Sequence, residues 1–347
     1  MEKSVLYDKI AGCLMAGALG DALGYEVEFL PWELIHKKYV QVRALVPHGG
    51  KARFSDDTQM TLFTNEGLVL GYWANRRQGK TLRPEQAIYQ AYLCWLKTQG
   101  DGVKSLWEQD SELLRERGMH ASRAPGNTCL SALRSGRMGT MDAPLNESKG
   151  CGGVMRSAPL GFMPCWGDPL RTGAASAVIT HGHPGGWAPA GMLSDIVCRC
   201  IYKEKKPLEE VIAEAREDVT AAWGDVPEVE QFTEMIADAV YLSHTDLPAV
   251  RAIHSLGGGW VGDEALAIAV YSCLKHPDDV WEALITAVNH SGDSDSTGAI
   301  AGNILGAYHG LSALPGKWIG ELELTDVILR QAENVTGAAL DSMRGAT

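Results

Sequence analysis

The pattern of a half-buried strand, an alternating β-branched run closed by turn dipeptides, is almost absent along these 347 residues. Apolar residues recur instead at helical spacing, or sit in stretches rich in strong helix formers. Such segments cover residues 4–19, 58–75, 84–98, 127–135, 186–203, 207–222, 228–243, 263–275, 278–289, 296–311 and 324–341. The clearest runs from Leu208 to Trp223. It carries Val211, Ile212, Ala215, Val219 and Ala222 on one stripe, with Glu209, Glu210, Glu214 and Glu217 around it, as expected of a helix with one face in a core. Only residues 42–46 read as a short strand. The expected fold class is all-α.

Glycine and proline gather at 45–55, 99–104, 119–127, 136–153, 181–187 and 255–262, which marks loops at helix ends. None is long or biased enough to be a linker, and no repeat is visible. Many helical segments are rich in Ala and Gly, which lets backbones approach closely. One domain spanning 1–347 is expected. With 45% hydrophobic and 21% charged residues, the chain reads as soluble and globular. Its net charge of -12, from 43 acidic against 31 basic residues, argues against a nucleic-acid partner. The same acidity means that a polyanionic substrate would need backbone amides or a metal. No apolar run approaches the about 18 residues of a membrane span. The N-terminal MEKSVLYDKIAGCLMAGALGDALG reads as a helix of the fold rather than a signal peptide. These readings predict a cytoplasmic protein with no membrane contact. The cysteines at 13, 94, 129, 151, 165, 198, 200 and 273 show no metal-type pairing and read as reduced thiols.

Chemistry concentrates in two acidic clusters. Ser55-Asp56-Asp57-Thr58 opens one helical segment, and Gly292-Asp293-Ser294-Asp295-Ser296-Thr297 opens another. Helix capping accounts for one side chain in each, because Ser, Thr and Asp accept from first-turn N–H groups and suit the positive end of the dipole. It does not account for two carboxylates plus hydroxyls in both places. The second cluster also lies between apolar or glycine-rich flanks, residues 286–290 and 299–305. If the clusters converge, each carboxylate pair about 5 Å apart repels by roughly 3 kcal/mol at an effective dielectric of about 20. Helix dipoles offset only about 1 kcal/mol per terminus. Proton uptake or a cation must supply the rest. Hard oxygen donors, with only His290 adjacent, select Mg²⁺, Mn²⁺ or Ca²⁺ over zinc or copper. Two half-sites would form a two-ion centre with ions about 3.5–4 Å apart.

Other segments allow two readings each. Gly20-Asp21-Ala22-Leu23-Gly24 suggests a tight turn after the first helix. Asp21, Glu26 and Glu28 are then either surface acids at a helix end or carboxylates aimed at the same pocket. The loop around Gly150, Cys151, Gly152, Gly153 and Met155 could present N–H groups to phosphates or simply pack tightly; it is not a Walker motif. Cys151 has no evident partner base. His181 and His183 flank a turn without a third zinc ligand at a recognisable spacing. Asn127 opens a helix, and Asp263 and Glu264 read as capping acids.

The segments GDALGYEVEF, SDDTQM, GNTCLSAL, GCGGVMRSAPLG, THGHP and HSGDSDSTGAIAGNILGA, in this order and spacing, resemble the ADP-ribosylglycohydrolase family. That family includes the dinitrogenase-reductase-activating glycohydrolases and the ADP-ribosyl-acceptor hydrolases. The likeness runs from about residue 8 to residue 311. It implies a compact orthogonal helical bundle with two Mg²⁺ or Mn²⁺ ions. The family's metal ligands fall on Ser55, Asp56, Asp57, Asp293, Asp295 and Ser296; many relatives carry Thr where this chain has Ser55 and Ser296. Glu28 matches the family's active-site acid. Gly150, Cys151, Gly152, Gly153, Met155 and His181 match regions that hold ADP-ribose, and Asn127, at its helix start, is a further candidate to line the same site. The implied reaction is hydrolysis of the bond between ADP-ribose and an acceptor, foremost an ADP-ribosylated arginine on a protein, with ADP-ribose as product. Glu28 or a cluster aspartate would act as base. Serine, nucleotide or small-molecule acceptors, a non-catalytic ADP-ribose binder and a metal-dependent phosphohydrolase are the alternatives.

Overall fold

Helix-forming content carries through to the protein's structure, a computed structural model that describes residues 2–345. Met1, Ala346 and Thr347 of the expected domain lie outside the described residues. The first helices are α1 (Lys3–Gly24), α2 (Trp32–Tyr39), α3 (Asp56–Gln78) and α4 (Pro84–Thr98). The short α5 (Glu112–Arg115) and α6 (Asn127–Arg134) lead through irregular segments to α7 (Pro169–Val178) and α8 (Pro184–Tyr202). There follow α9 (Leu208–Trp223), α10 (Pro227–Ser243), α11 (Ala249–Leu256) and α12 (Gly262–Lys275). The last are α13 (Val280–Val288), α14 (Ser294–His309), α15 (Gly316–Glu321) and α16 (Thr325–Gly345). The fold is all-α, and the described residues hold only isolated bridges, such as His48 with Lys51.

Residues 42–46 are not a strand. The Asn289 side chain takes both backbone groups of Val42, accepting from its N–H at 2.7 Å and donating to its carbonyl at 3.0 Å. A side-chain amide thereby replaces a ladder. Helix α9 buries Leu208, Val211, Ile212, Ala215 and Val219. Ala222, expected on that stripe, is only half-buried, because the face has turned away from the core by the last turn.

The helices at the centre of the molecule are apolar or small on every side, as burial requires. The contact that positions the site is a seam between α1 and α14. A Cβ on Gly12 would come within 2.4 Å of the Gly306 carbonyl oxygen; on Gly20, within 2.0 Å of that of Gly298; on Gly24, within 2.1 Å of that of Ser294. A Cβ on Gly302 would meet the Ala16 oxygen at 2.1 Å. The two helices are therefore antiparallel, with small residues facing each other every fourth position. Asn303 ties across the seam by donating to the Cys13 carbonyl at 2.9 Å. Residues Gly20 to Gly24 are accordingly the last turn of α1, not the tight turn expected, because their glycines are needed for close helix approach. No helix among the described residues is long and apolar enough to cross a membrane.

Candidate active site and metal centre

Because Gly24 meets Ser294, the C-terminus of α1 abuts the N-terminus of α14. Asp21, fully buried in α1, reaches sideways to the start of α3. Its Oδ1 accepts from the Ser55 N–H at 2.8 Å; its Oδ2 accepts from the Thr58 N–H at 2.9 Å and from the Thr58 hydroxyl. A carboxylate of one helix thus caps another, and the two acidic clusters meet where α1 touches both.

Within α3, the Ser55 hydroxyl accepts from the Asp57 N–H at 3.1 Å as the N-cap. Asp56 Oδ2 accepts from the Gly126 N–H at 3.3 Å. At the head of α14, Asp293 Oδ1 and Asp295 Oδ1 share the Ser296 N–H, at 3.4 and 3.0 Å. The glycine turn before α12 holds this second cluster in place. Glu264 Oε2 accepts from the Gly258 and Gly259 N–H groups at 3.0 and 3.1 Å, and the Gly258 carbonyl accepts from the Asp293 N–H at 2.8 Å. Gly292 must be glycine there. Its φ is +142° and a Cβ would lie 2.0 Å from the Gly258 oxygen. Glu264 is therefore not the cap expected of it, whereas Asp263 Oδ1 accepts from the first-turn N–H of Glu264 at 2.9 Å, as a capping acid does. The residue at the cap position of α12 is Val261, without a side-chain bond, and Glu264 points back to secure the turn.

Glu28, Asp56, Asp57, Asp293, Asp295 and Ser296 line one cavity of about 380 Å³. Glu28, Asp293 and Asp295 each offer an oxygen, all within 4.8 Å of one another. Burial, followed by the charge of Asp295, drives the carboxyls of Asp56, Asp57 and Asp293 well above their usual range. The same causes push Asp21 up to about 7, and burial with Asp295 and Asp293 pushes Glu28 up to about 10. Such crowding favours protonation unless a cation is present. Two buried oxygens, Glu28 Oε2 and Asp57 Oδ2, have no hydrogen-bond partner. Hard oxygen donors, unpartnered oxygens and mutual repulsion all fit a divalent ion.

The other expected residues divide. Asn127, Gly150, Cys151, Gly152, Met155 and His181 line the same cavity. Ser55 and Gly153 do not. Ser55 is the fully buried cap of α3, its side chain hydrogen-bonded to Asp295 of the cavity, and Gly153 packs on α7 and α8, where a Cβ would meet Ala177 at 2.9 Å and the Gly186 oxygen at 3.0 Å. The Cys151 thiol donates to Asp293 Oδ2 at 2.8 Å. Burial and the Asp293 charge hold its pKa well above the usual thiol value, the reverse of an activated nucleophile. Glu26 faces away, bonded to Tyr39 and His48. Sequence reasoning missed Phe29 and Trp260, whose rings stack at 5.5 Å beside the cavity. Phe29 sits at φ +67°, a left-handed conformation that costs energy for a bulky residue. No periodicity could signal this pair, since both lie in loops. Glu28 and Phe29 also border a second cavity of about 640 Å³, lined by Tyr25, Glu26, His48, Arg53 and Arg123.

The model of one family, ADP-ribosylglycohydrolase, matches residues 2–344. The chain belongs to that family. Over 330 residues this ADP-ribosylglycohydrolase is 25% identical to the ADP-ribosyl-[dinitrogen reductase] glycohydrolase of Rhodospirillum rubrum, covering 92% of each chain. It is 24% identical over 343 residues to the ADP-ribosylarginine hydrolase Tri1 of Pseudomonas putida, covering 94% of this chain and 78% of that one. A solved structure described as an ADP-ribosylglycohydrolase-related protein complex superposes with a TM-score of 0.60. That match covers 97% of this chain and 99% of the other at 23% identity, a likeness of fold. The protein is thus an enzyme, a glycohydrolase of ADP-ribosyl groups.

Proposed function

We propose that this enzyme hydrolyses the bond between ADP-ribose and an arginine side chain of a modified protein, using two Mg²⁺ or Mn²⁺ ions. In this reading residues 1–347 work as one catalytic domain. The observation that carries the reading is the convergence of both acidic clusters on one cavity, with Glu28 Oε2 and Asp57 Oδ2 unpartnered. Asp56, Asp57, Asp293, Asp295 and the Ser55 and Ser296 hydroxyls would hold the ions. Bound there, the ions supply positive charge, coordination positions for ribose hydroxyls and a lowered pKa for water. The acceptors in the names of the Rhodospirillum rubrum and Pseudomonas putida relatives support a protein arginine as substrate.

Glu28 would take the proton from water as it attacks the anomeric carbon. Its proton affinity is held high by burial and by the neighbouring charges of Asp295 and Asp293. Asn127, His181 and the loop at residues 150–155 would orient the ADP-ribosyl group. Glu28 and Phe29 border both cavities, so the sugar can occupy one while the departing acceptor has room in the other. The test incubates the protein with arginine-, serine- and nucleotide-linked ADP-ribose plus Mg²⁺ or Mn²⁺. Release of ADP-ribose from the arginine conjugate is expected. Release of phosphate instead would assign the same acids to a phosphohydrolase.

A further inference from the structure

We propose that Arg156 and Thr180 are positioning residues that fix His181 as the tautomer with its proton on Nε2, so that Nε2–H donates to an oxygen of the ADP-ribosyl group. This rests on reading the carboxylate cavity as the ADP-ribose pocket.

Arg156 is fully buried, yet no carboxylate of the described residues meets it. Its NH2 group donates to Thr180 Oγ1 at 2.6 Å, and its NH1 group lies 3.3 Å from Cys129 Sγ and 3.5 Å from Met60 Sδ. Its guanidinium rests over the Tyr92 ring, 4.4 Å from the centroid, a cation–π contact. A buried guanidinium held by such weak acceptors is costly to maintain, which calls for a reason beyond packing.

The hydrogen-bond inventory supplies one. A guanidinium can only donate, and a hydroxyl has one proton and two acceptor sites. With Arg156 donating to Thr180 Oγ1, the Thr180 proton is free for another partner. His181 Nδ1 lies 2.8 Å from that oxygen. Cys129, which also touches the Thr180 hydroxyl, is a weak acceptor beside an imidazole nitrogen. The proton therefore goes to Nδ1, and the neutral ring must carry its own proton on Nε2. The Thr180 carbonyl is itself anchored by Asn146 at 2.8 Å, so the relay has a fixed base. Burial and the Arg156 charge also push His181 down to about 3, which keeps the ring neutral.

Nε2 lies beside Gly150 and Gly152, which line the cavity together with His181. It has no hydrogen-bond partner among the described residues, although His181 is only 2% exposed and lines the pocket. A Cβ on Gly150 or Gly152 would come within 3.3 or 3.2 Å of it. Glycines at these positions leave the donor uncovered. The result is a buried N–H aimed at ligand space, with its direction set two residues back.

The protein labelled with ¹⁵N-histidine tests this by long-range ¹H–¹⁵N correlation, with His181→Asn to assign the signal. The wild type and Thr180→Ser should show the Nε2–H tautomer; Thr180→Val should lose it. Calorimetry with ADP-ribose should show Kd rising about 10-fold in Thr180→Val, the scale of one hydrogen bond, and recovering in Thr180→Ser. A wild-type His181 that carries its proton on Nδ1 overturns the proposal, as does a Thr180→Val protein with unchanged tautomer and Kd. The wild-type tautomer decides even if Thr180→Val does not fold. An Nε2–H tautomer that answers to Thr180, in a protein that does not bind ADP-ribose, would remove the ligand assignment and the functional reading while leaving the relay.

Discussion

Asp57 and Asp295 each sit in the first turn of a helix, where a carboxylate suits the dipole, and each also shares one cavity with four other acids. The two roles separate on substitution. Asparagine caps helices well but is a poor metal ligand. Asp57→Asn and Asp295→Asn are therefore expected to abolish turnover while the protein stays folded, and to raise the melting temperature measured with chelator at pH 8. Turnover near the wild-type rate would leave these acids as caps alone. Glu28 tests the proton-handling role. Glu28→Gln should lower the single-turnover rate by about 10²-fold, the scale of a lost general base, with ADP-ribose still bound by calorimetry. Unchanged chemistry would move that role to an aspartate.

The seam of α1 and α14 brings the two clusters together, so its geometry should be felt at a distance. Gly20→Ala places a methyl 2.0 Å from the Gly298 oxygen, and neither helix backbone can yield without moving. Overpacking of this kind costs about 1–3 kcal/mol or more. Activity should fall with stability, because Asp21 and Asp295 ride on the two helices. Ala16, which already carries a methyl on the same seam, is the control position: Ala16→Gly should cost about 1 kcal/mol of helix propensity and leave activity largely intact. Denaturant midpoints and turnover, compared between the two variants, check this. Equal losses of activity would mean that the seam does not set the site.

Across the whole molecule, buried acids make stability depend on pH and metal together. Asp21 and Glu28 have folded pKa values of about 7 and 10, above their ordinary values. Groups raised in this way contribute stability that is complete below the unfolded pKa and is lost as pH rises through the folded one. The metal-free protein should therefore weaken between about pH 4 and pH 10 at these sites. A divalent ion competes with those protons and relieves the repulsion. The rise in melting temperature on replacing EDTA with Mg²⁺ should then grow from pH 5.5 to pH 8.5. A gain that is flat with pH would argue against ion binding at these acids.

Much of this was present in the chain before folding. Helical spacing and the lack of strand alternation gave the all-α class. The Ser-Asp-Asp-Thr and Asp-Ser-Asp-Ser clusters were visible because both caps and ligands need oxygen donors at helix starts. The Ala and Gly content announced close helix contacts without saying which helices made them. Tertiary structure alone decided that Gly20 and Gly24 belong to a seam rather than a turn, since a glycine reads the same in both. It alone made Asp21 a cap for α3, turned Glu264 toward residues 257–259 and stacked Phe29 on Trp260. It also packed Gly153 against α7 and α8 rather than into the cavity. These outcomes depend on side chains reaching partners far away in the chain, and such pairings leave no period in the sequence from which to read them.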